Sequence, residues 1–265
     1  MTVDQGSKTA RGNRDYPWDD FSPEEYFKYN YVDFRDDDRQ IVDIVSRSFV
    51  KAFAATPLPP GARGIDVGTG ANLYPALTML PFCEKITLYD YSAANVAWLR
   101  KQHAEGWPSW NEAWDKFWSD LCADGNYKSV SHPKEELSRR VTIEQGDVLD
   151  LPIHERYDAG TMFFVAESIT GKREEFLNAV DHFFAMLKPA APFAMAFMEH
   201  SKGYHVGSQT FPATDIGESD VSDCLNARAD DVQTVLLPPG NKPLRDKYTG
   251  MIVAHGRVKH VEEIP

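Results

Sequence analysis

Short apolar runs alternate with amphipathic segments over most of the chain after Arg63. The apolar runs have the length of buried strands, and the segments between them have the spacing of helices. Strands are predicted at 64–67, 85–89, 140–144, 157–164 and 193–197. A helix is predicted from Ser92, whose hydroxyl is suited to cap it, and another over 174–187, ended by Pro189. This alternation predicts an α/β fold, a doubly wound and mostly parallel sheet with helices on both faces.

The end of the chain departs from this alternation. A helix near 220–227 is followed by two β-like runs, 232–237 and 251–258. The connection between these runs, 238–243, is too short to hold a crossover helix. The two runs are therefore predicted to form a C-terminal antiparallel hairpin.

The N-terminal part divides into a polar tail and an aromatic arm. Residues 1–14 are polar and predicted to be mobile, so a single domain is expected over 15–265. Residues 16–34 carry eight aromatic side chains, which are costly to leave in water and must pack on something. Within 15–56, the arm and the helix that follows it are expected to form a lid.

The helix after the arm is predicted from apolar positions at helical spacing between Ile41 and Phe53. Asp38 is its expected N-cap, and the aspartates at 36–38 are interpreted as a hydrated helix start that the helix dipole favours. The proline-rich run at 57–61 ends the helix.

A helical insertion is predicted at 103–139, before the third strand. Its four tryptophans are spaced by 3, 4 and 4 residues, which is the pattern of one stripe on a helix: Trp107, Trp110, Trp114 and Trp118. The favoured interpretation is that they pack onto the body of the domain. The alternative is that one or two of them wall a ligand pocket.

Composition and charge exclude several classes of protein. The chain has 265 residues, of which 42% are hydrophobic and 26% charged, an ordinary globular mixture. A net charge of −12 without a basic patch argues against nucleic acid or an anionic membrane as partner and leaves a small-molecule substrate. No apolar run approaches the roughly 20 residues of a membrane helix, and no secretory signal is visible, so a cytoplasmic location is expected. Three dispersed cysteines predict neither disulfides nor a metal site: Cys83, Cys122 and Cys224.

The segment with the clearest chemistry is Asp66-Val-Gly68-Thr-Gly70, where the first strand turns towards a helix. Gly68 and Gly70 let the backbone approach a ligand closely, at the sheet edge where such folds bind ligands. The dinucleotide pattern would require a third glycine at position 73, which is Leu73. The negative charge of Asp66 beside this loop would repel a pyrophosphate and attract a cationic ligand.

Two further acids follow neighbouring strands. Asp90 ends the second strand, 20 residues after Gly70, where an acid accepts hydrogen bonds from both ribose hydroxyls. Asp147 follows the third strand and is suited to the adenine amino group, with Val148 against the ring; a turn or cap role is the alternative for Asp147. Together these residues predict a nucleoside with a positive tail, namely S-adenosylmethionine, with S-adenosyl-L-homocysteine as the product.

At these positions the chain resembles the class I methyltransferases. More narrowly, segments 21–31, 68–74 and 89–95 resemble the family of nicotinamide, phenylethanolamine and thioether methyltransferases, and the tryptophan-rich insertion and 204–211 match it in position. The departures are an Ala-Ala pair at 190–191 where the family usually has Gly-Gly, and Glu199 in place of a shorter aspartate. The loop from 199 to 204 is also shorter by about two residues than in the family.

The resemblance implies roles for individual residues. Tyr26 and Tyr31 close over the cofactor carboxylate and the reaction centre, and Tyr74 lies near the methionine tail. The adenosine is held by a group around the second and third strand ends: Asp90, Tyr91, Asn95, Asp147 and Val148. Glu199, at the end of the fifth strand, orients the acceptor, and Tyr204 is a second pocket residue. Glu167 ends the fourth strand and either faces this pocket or has a capping or surface role.

The predicted activity is methyl transfer from S-adenosylmethionine to an amine of a small metabolite or natural product. Glu199 and Tyr31 are the expected catalytic residues, since an amine must attack as the neutral base and a carboxylate can hold it and take its proton. One alternative is a methyltransferase fold that aligns an amine for intramolecular displacement and closes a small ring. The other is a non-catalytic binding subunit, although no partner subunit is indicated.

Overall fold

A computed structural model describes residues 10–150, 156–240, 244–245 and 247–259 of the chain. Within these ranges seven strands form one sheet, and two short strands form a separate hairpin. The large sheet contains β1 (Arg63–Val67), β2 (Lys85–Asp90), β3 (Val141–Gln145), β4 (Ala159–Phe163), β5 (Pro192–Glu199), β8 (Ala229–Leu237) and β9 (Gly250–Val258). The hairpin contains β6 (Tyr204–Val206) and β7 (Gln209–Phe211).

The strand order is β3-β2-β1-β4-β5-β9-β8, and the first five strands are parallel. The predicted doubly wound α/β class is confirmed. Pairing of β9 with β5 and β8 is antiparallel, so the predicted C-terminal hairpin is also confirmed, although 241–243 and 246 of its connection lie outside the described residues. The order reverses between β1 and β4, and a crevice for ligands is expected above such a reversal.

Nine helices flank the sheet within the described ranges, and α2, α3 and α5 pack together on one side of it. They are α1 (Pro23–Asn30), α2 (Asp36–Ala55), α3 (Tyr74–Met79), α4 (Ala93–Ala104), α5 (Asn111–Leu121), α6 (Gly125–Lys128), α7 (Pro133–Arg140), α8 (Arg173–Ala185) and α9 (Glu218–Asn226). The predicted cap of α4 is confirmed, because the Ser92 side chain accepts a hydrogen bond from the Asn95 backbone N–H. None of the described helices has the length and apolar character to cross a membrane.

Two expectations about α2 are wrong. The helix begins at Asp36 after an extended Arg35, so Asp38 lies in the first turn and does not cap it. Asp37 and Asp38 are also buried, with 4% and 3% of their surface exposed. They are covered because the start of α2 packs against α3 and approaches Gly240, which precedes β9.

The tryptophan-rich insertion is not one helix. Trp107 has a left-handed backbone (φ 61°), a short 3₁₀ turn covers Pro108–Trp110, and only Trp114 and Trp118 lie on α5. Trp107, Trp110 and Trp114 are buried, which confirms that they pack onto the body. Trp110 also donates a hydrogen bond from Nε1 to the carbonyl of Ala71, 3.2 Å away.

The aromatic arm packs on the β6–β7 hairpin, which the sequence did not predict. The ring of Trp18 stacks on Phe211 with centroids 4.8 Å apart, and Phe21 contacts the same ring at 5.2 Å. Asn13 is buried as well, and its backbone N–H donates to Glu175 Oε2 at 2.7 Å. The packed chain therefore includes residues before the predicted boundary at 15, while residues 1–9 of the predicted mobile tail lie outside the described part.

Candidate functional site

A hollow that is partly open to solvent lies at the carboxyl edge of the sheet, above β1, β2 and β4. Its lining comes from the turn after β1, the ends of β2 and β3, the end of β4, and the aromatic arm together with Tyr204 of the hairpin. Of the predicted site residues, it is lined by Tyr26, Tyr31, Gly68, Gly70, Asp90, Tyr91, Asn95, Asp147, Val148 and Tyr204.

The glycine turn forms the floor of the hollow. Gly68 has φ +69°, and its N–H donates to the carbonyl of Tyr89 at 2.7 Å, which ties the turn to β2. A Cβ on Gly68 would lie 2.3 Å from Val165 Cγ2. Position 68 therefore requires glycine both for its backbone conformation and for lack of space.

Asp90, at the end of β2, accepts three hydrogen bonds from the protein. Its Oδ2 accepts from Gly70 N at 2.8 Å, and its Oδ1 accepts from Ser92 N at 2.9 Å and Asn95 Nδ2 at 3.1 Å. Burial raises its pKa, although these hydrogen bonds act in the opposite direction. Because a carboxylate has about four acceptor positions, Asp90 retains capacity for a ligand hydroxyl.

The end of β3 supplies the adjacent wall. Gly146 lies so close to Tyr89 that a Cβ there would meet the phenol oxygen at 1.9 Å. Asp147 Oδ1 accepts from Leu149 N at 2.8 Å, which is the turn contact expected as the alternative role of this residue. The same side chain still lines the hollow beside the buried, apolar Val148.

Asp66 lies below the glycine turn and does not line the hollow, which corrects the expectation that it stands beside the ligand. Only 1% of its surface is exposed; its Oδ1 accepts from Thr161 Oγ1 at 2.7 Å, and its Oδ2 has no partner among the described residues. Burial raises the pKa of Asp66 to about 7.

This buried carboxyl gives a prediction about stability and pH. In the unfolded chain Asp66 loses its proton near its usual pKa of about 3.9, but in the folded protein only near 7, so its ionisation destabilises the fold as pH rises between these values. Asp66→Asn keeps an oxygen for Thr161 and removes the charge. We expect the variant without cofactor to gain up to about 4 kcal/mol over the unsubstituted protein at pH 8, and less at pH 5.

Chemical denaturation at pH values from 5 to 8 measures this difference. Asp230→Asn, at an exposed position of β8, is the matched control and should give a small effect at every pH. A difference between Asp66→Asn and the unsubstituted protein that stays constant across this range would show that Asp66 is already ionised at pH 5.

The aromatic arm closes the hollow from the other side. Tyr31 is buried, with its ring edge-on to Tyr26 at 6.0 Å and stacked on Trp110 at 6.0 Å. Tyr204 contacts Tyr26 at 6.4 Å. Several residues that line the hollow were not predicted from the sequence: Asn13, Trp18, Phe21, Asn72, Phe163 and Phe164. Trp18 and Phe21 were missed because an aromatic-rich arm does not reveal which of its rings face inward.

Tyr74 has a different position from the one expected. It is fully buried behind Tyr31, with ring centroids 6.0 Å apart, and is not part of the lining. Its hydroxyl has no hydrogen-bond partner among the described residues.

The two predicted acceptor acids lie close to each other, outside the lining of this hollow. Glu167 is fully buried, its Oε1 accepts from Met198 N at 3.0 Å, and its Oε2 has no partner in the described chain. Burial raises the pKa of Glu167. Glu199 is 8% exposed and its Oε2 accepts from Thr249 Oγ1 at 2.5 Å. A surface role for Glu167 is thereby excluded.

The doubly wound sheet, the glycine turn and the acid at the end of β2 define a class I methyltransferase. The model of the NNMT/PNMT/TEMT family matches residues 10–256, and the chain belongs to this family. It is thus an S-adenosylmethionine-dependent methyltransferase.

Individual relatives are distant. The chain is 22% identical to phenylethanolamine N-methyltransferase of Macaca mulatta over 257 residues, which cover 88% of this chain and 87% of the relative. It is 23% identical to the Sus scrofa protein of the same name over 263 residues, covering 90% and 89%. Among solved structures, N-methyltransferase NodS from Bradyrhizobium japonicum WM9 with S-adenosyl-L-homocysteine has a TM-score of 0.52 at 13% identity, covering 90% of this chain and 100% of that chain. The similarity to this solved structure shows that the two proteins share a fold.

Proposed function

We propose that this enzyme transfers the methyl group of S-adenosylmethionine to an amine nitrogen of a small metabolite or natural product. The observation that carries the proposal is the hollow itself, in which the Asp90 carboxylate, a glycine turn without Cβ obstruction and an aromatic lid surround one space. The net charge of −12 favours a small-molecule acceptor over nucleic acid.

The residues present fit this cofactor. Asp90 has acceptor capacity for a ribose hydroxyl, and Asn95 fixes the orientation of its carboxylate. Asp147 and Val148 offer an acceptor and an apolar surface for the adenine. The methionine part is placed at the turn of Gly68 and Gly70, which both line the hollow with left-handed backbones and no side chain. The cofactor supplies an activated methyl carbon on a sulfonium.

The surroundings of the sulfonium are suited to positive charge. Faces of tyrosine rings attract cations, and Tyr26, Tyr31 and Tyr204 all border the hollow. Asp66 below the turn adds negative charge once it is ionised. The rings of Trp18 and Phe21 close the arm over the hairpin and exclude water, which strengthens these electrostatic interactions.

On the acceptor side we assign proton transfer to the buried acids. An amine attacks only as the neutral base, and Glu199 is suited to hold its nitrogen and take the proton directly or through water. We assign the neighbouring buried Glu167, whose Oε2 has no hydrogen-bond partner among the described residues, as a second acidic residue on the acceptor side. We assign Tyr31 to the reaction centre, where burial raises the pKa of its hydroxyl and keeps it protonated as a hydrogen-bond donor.

The test is a methyl-transfer assay with the purified protein and a panel of primary and secondary amines. We expect micromolar binding of S-adenosylmethionine by calorimetry and amine-dependent formation of S-adenosyl-L-homocysteine. Cofactor binding without transfer to any amine would favour the binding subunit. Ring closure of an amine with the methyl group still on the cofactor would favour intramolecular displacement.

A further inference from the structure

A second cavity, which we call the basic groove, lies beside the hollow and has no role in the mechanism above. Its walls come from α1, from the β6–β7 hairpin with the loop before it, and from three residues that precede β9: Leu244, Arg245 and Lys247. The Tyr29 hydroxyl of α1 donates to the carbonyl of Leu244 at 3.0 Å. Two of the three walls are therefore joined along one side of the groove.

The charge of the basic groove is opposite to that of the whole chain. The chain has 40 acidic residues against 28 lysines and arginines, but among the described residues the groove is lined by one carboxylate and three such cations: Glu25, Lys202, Arg245 and Lys247. Asp215, outside this lining, pairs with Lys202. Arg245 and Lys247 form no salt bridge within the described part of the chain. Positive charge without a counter-ion favours an anionic group of a ligand.

Arg245 is the cation of the groove that other side chains hold in place. Its Cζ lies 4.2 Å from the centroid of the Tyr204 ring, and its Nη1 donates to Oγ of the buried Ser201 at 3.4 Å. A guanidinium carries five N–H donors in a planar fork, of which the contact with Ser201 uses one. A carboxylate or a phosphate accepts two such donors side by side. Arg245 therefore combines a fixed orientation with free donors for an anion.

Two tyrosines place the basic groove next to the hollow. Tyr26 and Tyr204 line both cavities, and their ring centroids are 6.4 Å apart. The ring of Tyr26 also contacts Tyr31, which is assigned to the reaction centre, at 6.0 Å. Because Arg245 lies over the ring of Tyr204, a small acceptor that lies along these tyrosines has one end at the reaction centre and the other at the guanidinium.

We propose that Arg245 binds an anionic group of the methyl acceptor, a carboxylate or a phosphate, in the basic groove while the amine of the same molecule lies at the reaction centre. The exposed Lys247 adds unpaired positive charge to this groove. The acceptor is then an amine that also carries an acidic group, such as an amino acid or an aminoalkyl phosphate. This inference rests on the proposed function and specifies its substrate class.

The test compares linear ω-amino carboxylates of increasing chain length with their primary amides, which have nearly the same size and no negative charge. Formation of S-adenosyl-L-homocysteine is the readout, and we expect higher kcat/KM for the acids. In Arg245→Gln the ratio of acid to amide kcat/KM should fall by about ten- to a hundred-fold, which is the effect of losing a hydrogen bond to a charged group. Arg47→Gln is the matched control, since its side chain is 79% exposed on α2, and should leave the ratio unchanged.

A parallel series distinguishes the two anions. The ω-aminoalkyl phosphates are compared with the corresponding amino alcohols, and the series with the larger ratio in the unsubstituted enzyme identifies the anionic group. Arg245→Lys keeps the charge but loses the planar fork, so its ratio should lie between those of Arg245→Gln and the unsubstituted enzyme. This second variant carries the test if Arg245→Gln does not fold.

The outcomes separate the basic groove from the proposed function. Methylation of amines with ratios that the folded Arg245 variants leave unchanged would overturn the anion site, while the proposed function would remain supported. If no amine is methylated, the proposed function fails, and calorimetry of both anionic series on the complex with S-adenosyl-L-homocysteine still tests the groove. Equal affinity in Arg245→Gln and the unsubstituted protein, or no affinity in either, would then overturn the anion site.

Discussion

Replacing Asp90 with alanine is expected to weaken binding of S-adenosyl-L-homocysteine by at least about a hundred-fold. The bound ribose would lose a charged hydrogen-bond acceptor. The change also releases the N–H of Gly70, the N–H of Ser92 and the Asn95 amide, all of which donate to this carboxylate. The glycine turn and the start of α4 would thus lose their common anchor together with the ligand contact.

Calorimetric titration measures this loss, and circular dichroism verifies that the variant is folded. Asp150→Ala is the matched control, because Asp150 follows the same strand edge but its side chain is 78% exposed. We expect the control to bind with nearly unchanged affinity. Normal affinity in a folded Asp90→Ala variant would remove Asp90 from the ribose site.

Glu199→Gln should reduce kcat with the preferred amine by about a hundred-fold or more, which is the typical contribution of a positioned acid or base. The affinity for S-adenosyl-L-homocysteine should change little, since Glu199 does not line the hollow. Glutamine retains an oxygen for Thr249 Oγ1, so the local packing is preserved while the ability to take a proton is lost.

Single-turnover rates and the affinity for S-adenosyl-L-homocysteine, measured on the same preparation, separate the loss of a base from a loss of structure. Glu199→Gln should lower the rate and leave the affinity nearly unchanged. Glu174→Gln, at an exposed position in the first turn of α8, is the control for a remote charge change. Full turnover in Glu199→Gln would transfer the base assignment to Glu167, whose glutamine variant is the next measurement.

The order of elements was predictable because buried parallel strands are nearly continuous apolar runs. Every position of β4 and β5 is buried, and their predicted bounds differ by one or two residues from those of the structure. The strands β6 and β7 were missed because three residues are too few to show a period. Burial of Asp37 and Asp38 was missed because Tyr74 and Gly240, distant in sequence, create it.

The candidate site was predictable where it follows strand ends. Asp90 and Asp147 could be assigned to one hollow because the carboxyl ends of parallel strands meet at one edge. How deeply a side chain is buried at that edge depends on packing between parts of the chain that are distant in sequence. Asp66 was therefore expected beside the ligand, although it lies beneath the turn, and the inward-facing rings of the arm could not be told from the outward ones.

Ser92 connects two parts of the molecule that have been described separately. Its N–H donates to Asp90 Oδ1 at 2.9 Å, and its hydroxyl donates to the carbonyl of Trp18 in the arm at 2.7 Å. Ser92 thus ties the aromatic arm to the carboxylate that is proposed to hold the ribose. We expect release of S-adenosyl-L-homocysteine to require opening of the arm at this hydrogen bond, so that the opening limits the rate of repeated turnover.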